Sequence, residues 1–180
     1  MVKGDRTIAT LTALAFAVIV TLTGCSGDDG DTQRLVDTKG PTQLLRNDAA
    51  SRVDESLLLS ADKKTDVSEA CGLDDPDGLL RYWHSGITLN LDTSSSASAQ
   101  EEGAKLVKSF VDQDWEESTQ TGTGSSTSIL ENNASQQQIR VTVTFDDDSD
   151  GLGASVQIDV YGPCVKTGGP DSDEVQQLEN

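Results

Sequence analysis

The chain has 180 residues, with 31 acidic and 13 basic side chains, a formal net charge of −18, one histidine and three cysteines. Its length fits a single domain. So acidic a chain is a poor partner for nucleic acid, because phosphate recognition requires a basic surface that releases counterions. A single histidine excludes sites that need two imidazoles, and three separated cysteines exclude the paired CxxC spacing of structural zinc sites.

The first 25 residues have the organisation of a bacterial export signal. Lys3 and Arg6 precede an apolar run over residues 8–20, which is too short to span a bilayer comfortably and is typical of a signal-peptide core. The run is followed by Leu22-Thr23-Gly24-Cys25. This motif resembles the lipobox of bacterial lipoproteins. An ordinary secretory signal or a single anchor helix is the alternative interpretation.

The lipobox resemblance implies that residues 1–24 are a signal peptide and that the thiol of Cys25 receives a diacylglyceryl group. The mature protein would then be attached to the membrane through a lipid anchor on Cys25, on the extracytoplasmic face of the cell membrane. The residues that follow are rich in Gly and Asp and poor in apolar side chains. We therefore expect residues 25–40 to form a flexible tether.

With Cys25 lipidated, Cys71 and Cys164 are the remaining thiols, an even number in an oxidising compartment. The simplest expectation is a disulfide between them. The competing hypothesis is a catalytic thiol with His84 as its base. Nothing around either cysteine matches a cysteine-hydrolase signature, and an exposed thiolate outside the cell would be oxidised.

The first half of the chain contains one amphipathic helix and one alternating strand. Apolar residues recur every fourth position from Leu45 to Leu57, which predicts a helix over about 42–60. A polar loop should lead from there to Cys71. Ile87, Leu89 and Leu91 alternate with polar residues, so they predict a strand with one buried face.

The second half predicts a helix and a β-hairpin. An apolar stripe from Ala104 to Trp115 favours a helix over about 98–113. The Ser, Thr and Gly-rich residues 118–128 form either a flexible loop or a weak edge strand. Two segments with alternating apolar residues, beginning at Ile139 and at Ala154, form the hairpin. Residues 168–180 are mostly polar, so they predict a disordered acidic tail.

These elements predict an α+β fold, in which an antiparallel sheet of three to four strands carries two helices on one face. The single domain should cover residues 41–167. Trp115 after the second helix and Pro163-Cys164 after the last strand are also loosely similar to small envelope lipoproteins of high-GC Gram-positive bacteria. That resemblance implies an envelope location and a disulfide, and it implies no activity.

The acidic connection of the predicted hairpin partly matches a calcium-binding loop. Asp146, Asp148, Asp150 and Gly151 occupy positions one, three, five and six of an EF-hand loop, but Gln157 stands where the bidentate Glu belongs, and strands flank the segment. We therefore expect residues 146–153 to be a solvated hairpin tip, with no metal site and no cofactor. A lone histidine such as His84 is expected to be structural.

These observations favour a non-enzymatic, lipid-anchored envelope protein that binds or supports another envelope protein or a cell-wall component. An envelope hydrolase with an unidentified carboxylate site and a structural spacer without a ligand are the alternatives. The expected contact surface is the polar face of the sheet. Its residues are Thr88, Asn90, Thr142, Thr144, Gln157 and Tyr161.

Replacing Cys25 with Ala should stop acylation, because it removes the thiol that receives the diacylglyceryl group. Intact-mass analysis of the membrane-bound wild-type protein should show a mature chain that starts at an acylated Cys25. An unmodified Cys25 in that fraction would contradict the assignment.

Overall fold

The computed structural model describes residues 33–72, 75, 77–92, 96–121, 125–144 and 154–180. The leader, Cys25, the first part of the expected tether and the acidic segment 146–153 lie outside the described residues. The expectations for them therefore remain predictions. Within the described ranges, no helix is long and apolar enough to cross a membrane.

Three helices and seven strands make up the described part of the chain. The helices are α1 (Leu35–Ser51), α2 (Ser96–Val111) and α3 (Asp173–Glu179), and a single 3₁₀ turn (Glu55–Leu57) follows α1. The strands are β1 (Leu58–Ala70), β2 (Leu80–Leu91), β3 (Glu116–Thr121), β4 (Ser125–Asn132), β5 (Gln137–Thr144), β6 (Ser155–Tyr161) and β7 (Val165–Lys166).

The strands form one antiparallel sheet in the order β1-β2-β6-β5-β4-β3, with the short β7 paired to the start of β2. The predicted α+β class and antiparallel sheet are confirmed. The predicted size is wrong, since the sheet has seven strands among the described residues where three to four were expected. The predicted hairpin appears as the paired strands β5 and β6.

The helices pack against one face of this sheet. On that face Ile87, Ile158 and Val141 lie directly opposite one another on β2, β6 and β5. They belong to a single core that also contains Ala49 of α1 and Phe110 of α2. The alternating apolar positions of β2, β5 and β6 thus supply one side of the core, and α1 and α2 supply the other.

The C-terminal residues are an ordered part of the fold, so the prediction of a disordered tail is wrong. Val175 of α3 is buried with Leu35, Trp83 and Val165 in a second, smaller core. The helix begins where the Ser172 hydroxyl accepts a hydrogen bond from the backbone of Val175. A short polar helix whose only apolar residues are Val175 and Leu178 resembles a solvated tail in sequence, and its order comes from the packing of both on the second core.

Helix α1 begins at Leu35 and ends at Ser51, whereas the sequence predicted a tether up to residue 40 and a helix over 42–60. Gly40 and Pro41 each weaken a helix interior. The structure places Pro41 inside α1. Complete burial of Leu35 in the second core stabilises the first turn against that preference.

Strand β1 occupies residues that were predicted to continue the helix and then form a loop. It is 13 residues long, and among the described strands it lies at the edge of the sheet, paired with β2. An edge strand is held mainly by backbone hydrogen bonds, so its sequence shows little apolar alternation. Residues 118–128, left open between loop and weak strand, fall largely within β3 and β4.

The predicted disulfide between Cys71 and Cys164 is confirmed. Its Cα atoms are 6.0 Å apart, and 93 positions separate the two residues in sequence. Cys71 directly follows β1, and Cys164 lies between β6 and β7. The bond therefore joins the end of the edge strand β1 to the segment between β6 and β7.

Replacing both Cys71 and Cys164 with Ser should lower the free energy of unfolding by about 4–5 kcal/mol, because the bond closes a long loop in the unfolded chain. Urea unfolding of the variant and of the reduced wild-type protein should give the same loss. Alkylation of both cysteines in folded, non-reduced protein would show that the bond is absent.

Shortening Val175 to Ala should lower the free energy of unfolding by about 1.5–3 kcal/mol, since it removes buried methyl groups and leaves a cavity. The exposed neighbour Gln176 provides the control: Gln176→Ala should change stability by less than about 0.5 kcal/mol. Equal effects of the two substitutions in urea unfolding would contradict the packing of α3.

Candidate functional site

The face of the sheet opposite the helices is lined with polar side chains in cross-strand rows. Thr88, Gln157 and Thr142 lie opposite one another on β2, β6 and β5. The next row contains Asn90, Ser155 and Thr144. A further row places Tyr161 opposite His84. The structure therefore brings all six residues of the expected contact surface onto one face, which we call the open face.

His84 lies at the centre of a charged cluster on the open face. Its Nδ1 is 2.8 Å from Oε1 of Glu69 on β1, and its Nε2 is 3.1 Å from Oδ1 of Asp159 on β6. Only 11 % of the His84 side chain is exposed. The histidine on β2 thus bridges carboxylates on both neighbouring strands.

This geometry fits a doubly protonated ring. An ionised carboxylate can only accept hydrogen bonds, so between two ionised carboxylates both nitrogens of His84 donate and the ring is an imidazolium. Burial lowers the pKa of His84, but the hydrogen bonds to Asp159 and Glu69 together raise it by a larger amount, so the net shift is upward. For Glu69 burial raises the pKa, while the bonds from His84 and Tyr82 lower it more strongly, so the net shift is downward.

Two tyrosines and an arginine complete the cluster. The Tyr82 hydroxyl donates to Oε2 of Glu69 at 2.8 Å, and burial together with that bond raises the pKa of Tyr82. The Tyr161 ring stacks on His84 with centroids 4.5 Å apart. Arg140 of β5 lies 5.2 Å from the Tyr161 ring centroid. Tyr161 is therefore in contact with a cationic group from each of its two neighbouring strands, which its π-system favours.

A glycine makes room for the buried carboxylate of the cluster. Gly86 lies opposite Asp159 in the β2–β6 pairing, and a Cβ at this position would be 2.6 Å from Oδ1 of Asp159. The other oxygen of Asp159 accepts a hydrogen bond from Gln157 at 2.7 Å. A glycine inside an alternating strand is a recognised sign of such a close approach.

Under α1, a second polar cluster satisfies the buried groups on the helix side of the sheet. Nη1 of the buried Arg46 donates to the Ser85 hydroxyl at 2.6 Å, and that hydroxyl donates to Asp66 at 3.2 Å. Asp66 also accepts from the indole of Trp83 at 2.7 Å. These contacts connect α1 to β1 and β2, so this cluster has a structural role.

The chemistry of the His84 cluster is electrostatic. A ring that donates from both nitrogens has no lone pair with which to accept a proton, so His84 does not act as a general base in this arrangement. The alternative of a catalytic thiol paired with His84 is wrong, because Cys71 and Cys164 are joined in the disulfide. Within the described ranges, no group of three or more His, Cys, Asp or Glu side chains is arranged to hold a metal ion.

Sequence analysis singled out His84 and Tyr161 but missed the residues that bind them. Glu69 was missed because β1 was not recognised as a strand. Asp159 and Arg140 alternate with buried residues on β6 and β5, so the strand period already placed them on the polar face. The sequence did not show which strands pair and in which register, so the contacts of these residues with His84 and Tyr161 could not be predicted.

The chain matches no protein family, no curated protein and no solved structure.

The His84 bridge predicts a loss of stability as the pH rises above 6.5. The pKa of His84 is raised above its ordinary value of 6.5 in the folded state. The contribution of protonated His84 to the free energy of unfolding is therefore complete below pH 6.5 and is lost as the pH rises through the raised pKa. Urea unfolding at stepped pH should show this loss in the wild-type protein.

The His84→Gln variant serves as the reference for that series. Its free energy of unfolding should be lower than that of the wild type at neutral pH and should not fall over the same pH interval. An identical pH dependence in both proteins would contradict the ionic bridge.

Proposed function

We propose that the protein is a lipid-anchored envelope module that docks another envelope component through the open face of its sheet. The leader and Leu22-Thr23-Gly24-Cys25 support an extracytoplasmic location. The disulfide between Cys71 and Cys164 also supports it, since such bonds persist in oxidising compartments. The anchor on Cys25 would keep the domain close to the membrane surface.

The observation that carries the proposed docking role is the composition of the open face. Around the His84 cluster lie Val67 and Leu80, with 38 % and 45 % exposure. Val67 is directly opposite His84, and Leu80 is two positions before Tyr82 on the same strand. Aromatic and arginine side chains beside apolar ones are the composition of protein-contact surfaces.

The rest of the open face favours a partner with uncharged polar groups. The row of Thr88, Gln157 and Thr142 carries hydroxyls and an amide, which both donate and accept hydrogen bonds. The bridge by His84 neutralises much of the local negative charge of Glu69 and Asp159. An envelope protein or a cell-wall glycan has matching groups, and the docking role needs no catalytic residue.

The test is chemical crosslinking in intact cells, followed by identification of the partners recovered with the tethered protein. Thr142→Lys introduces a long cation into the middle of the open face and should abolish recovery of the partner. Gln176→Lys makes the same charge change on the exposed side of α3 and should leave recovery unchanged.

Two outcomes would contradict the docking role. Recovery of the same partner with the wild type and both variants would place the contact elsewhere on the molecule. If the wild-type protein recovers no partner, the spacer alternative would replace this proposal.

A further inference from the structure

A groove of about 400 Å³ lies on the helix side of the sheet, between α2 and strands β3, β4 and β5. Its origin is a change in side-chain size across the sheet. Gly103 of α2 packs directly on Val143, where any side chain at position 103 would collide with the valine. Beyond β5, Leu130 of β4 continues the core opposite Ile139, but the positions opposite Val143 and Val141 are occupied by Ser126 and Ser128. The small hydroxyl residues leave space beneath α2.

The groove has one apolar and one polar side. Val107 and Val111 of α2, together with Val141 and Val143 of β5, line the apolar side. Val111 is 39 % exposed, whereas Val107, Val141 and Val143 are buried, so solvent reaches the apolar side mainly at Val111. Hydroxyls of β3 and β4 line the polar side. A cleft of this size and mixed character is typical of small-molecule sites.

Two carboxylates line the groove, and one of them has no ion-pair partner among the described residues. Nζ of Lys108 lies 2.7 and 2.8 Å from the two carboxylate oxygens of Asp112, so these residues neutralise each other. Oε1 of Glu117 accepts hydrogen bonds from Thr119 and Ser128 at 2.5 and 3.1 Å, which hold the carboxylate over the polar side. Among the described residues, Glu117 has no cationic partner.

We propose that this groove binds a small organic cation, with a primary ammonium group at Glu117 and a compact apolar body among the valines. The free carboxylate sets the charge of the ligand, and the valines set its apolar character. The groove is on the opposite side of the sheet from the open face. The inference is therefore independent of the proposed docking function, and either can fail without the other.

The test is calorimetric titration at physiological ionic strength with three probes of equal length: hexylammonium, hexan-1-ol and hexanoate. The whole chain is used with Cys25→Ala, so that no acyl group requires detergent. Hexylammonium should bind saturably at one site and about five-fold more tightly than hexan-1-ol, the size expected of a partly exposed ion pair. Hexanoate should bind most weakly.

Three variants locate the site. Glu117→Gln should reduce hexylammonium affinity about five-fold, to the level of hexan-1-ol. Glu116→Gln makes the same charge change on the neighbouring residue of β3, which faces the other side of the sheet, and should leave the affinity unchanged. Ser128→Leu should fill the groove and abolish binding of every probe. Circular dichroism melting confirms that each variant is folded.

Several results would overturn the proposal. Equal losses in Glu116→Gln and Glu117→Gln would mean diffuse attraction to a chain of net charge −18. Equal affinity for hexylammonium and hexan-1-ol, unsaturable heats, or undiminished binding by folded Ser128→Leu would each show that the groove does not select an ammonium ligand.

Discussion

All three helices pack against the same face of the sheet. Charged side chains on the other face must therefore find their ion-pair and hydrogen-bond partners on neighbouring strands, and this constraint organises the molecule. The imidazolium of His84 does this at the centre of the open face, where it donates to Glu69 on one neighbouring strand and to Asp159 on the other. Three strands are thereby joined by side chains as well as by backbone hydrogen bonds. Such an arrangement is costly to break, because removing the cation would leave Asp159, with a side chain only 7 % exposed, beside a second carboxylate.

The two faces of the sheet have different chemistry because successive side chains of a strand point to opposite faces, and the central strands β2, β5 and β6 alternate apolar with polar residues. On the helix side the same rows that begin with Ile87 or Leu89 are apolar through β6 and β5, and they change to serine on β4. That change ends the close-packed core and opens the groove beside Glu117. On the open face the rows of Thr88 and Asn90 remain polar through β6, β5 and β4. One pattern of alternation thus produces a core, a groove and a candidate contact surface.

Elements whose pattern of apolar residues is set by burial could be predicted from the sequence alone. The strict alternation of β2, β5 and β6 and the wide apolar stripe of α2 identified these elements, and oxidising conditions with two spare thiols identified the disulfide. The failures share a physical cause. Strand β1 and helix α3 contribute few apolar residues of their own, and each depends on contacts with residues distant in sequence. The bridging partners of His84 were missed for the same reason, since Glu69 belongs to β1.

The measurement that tests this account most directly is nuclear magnetic resonance titration of the imidazole ring, which is unambiguous because the chain has a single histidine. The ionic bridge predicts that both ring nitrogens carry protons below the titration midpoint and that this midpoint lies above the ordinary value of 6.5. Asp159→Asn should lower the midpoint towards that value, and Asp62→Asn, on the same face but away from the ring, should not. A midpoint at or below 6.5 would contradict the bridge on which the organisation of the open face depends.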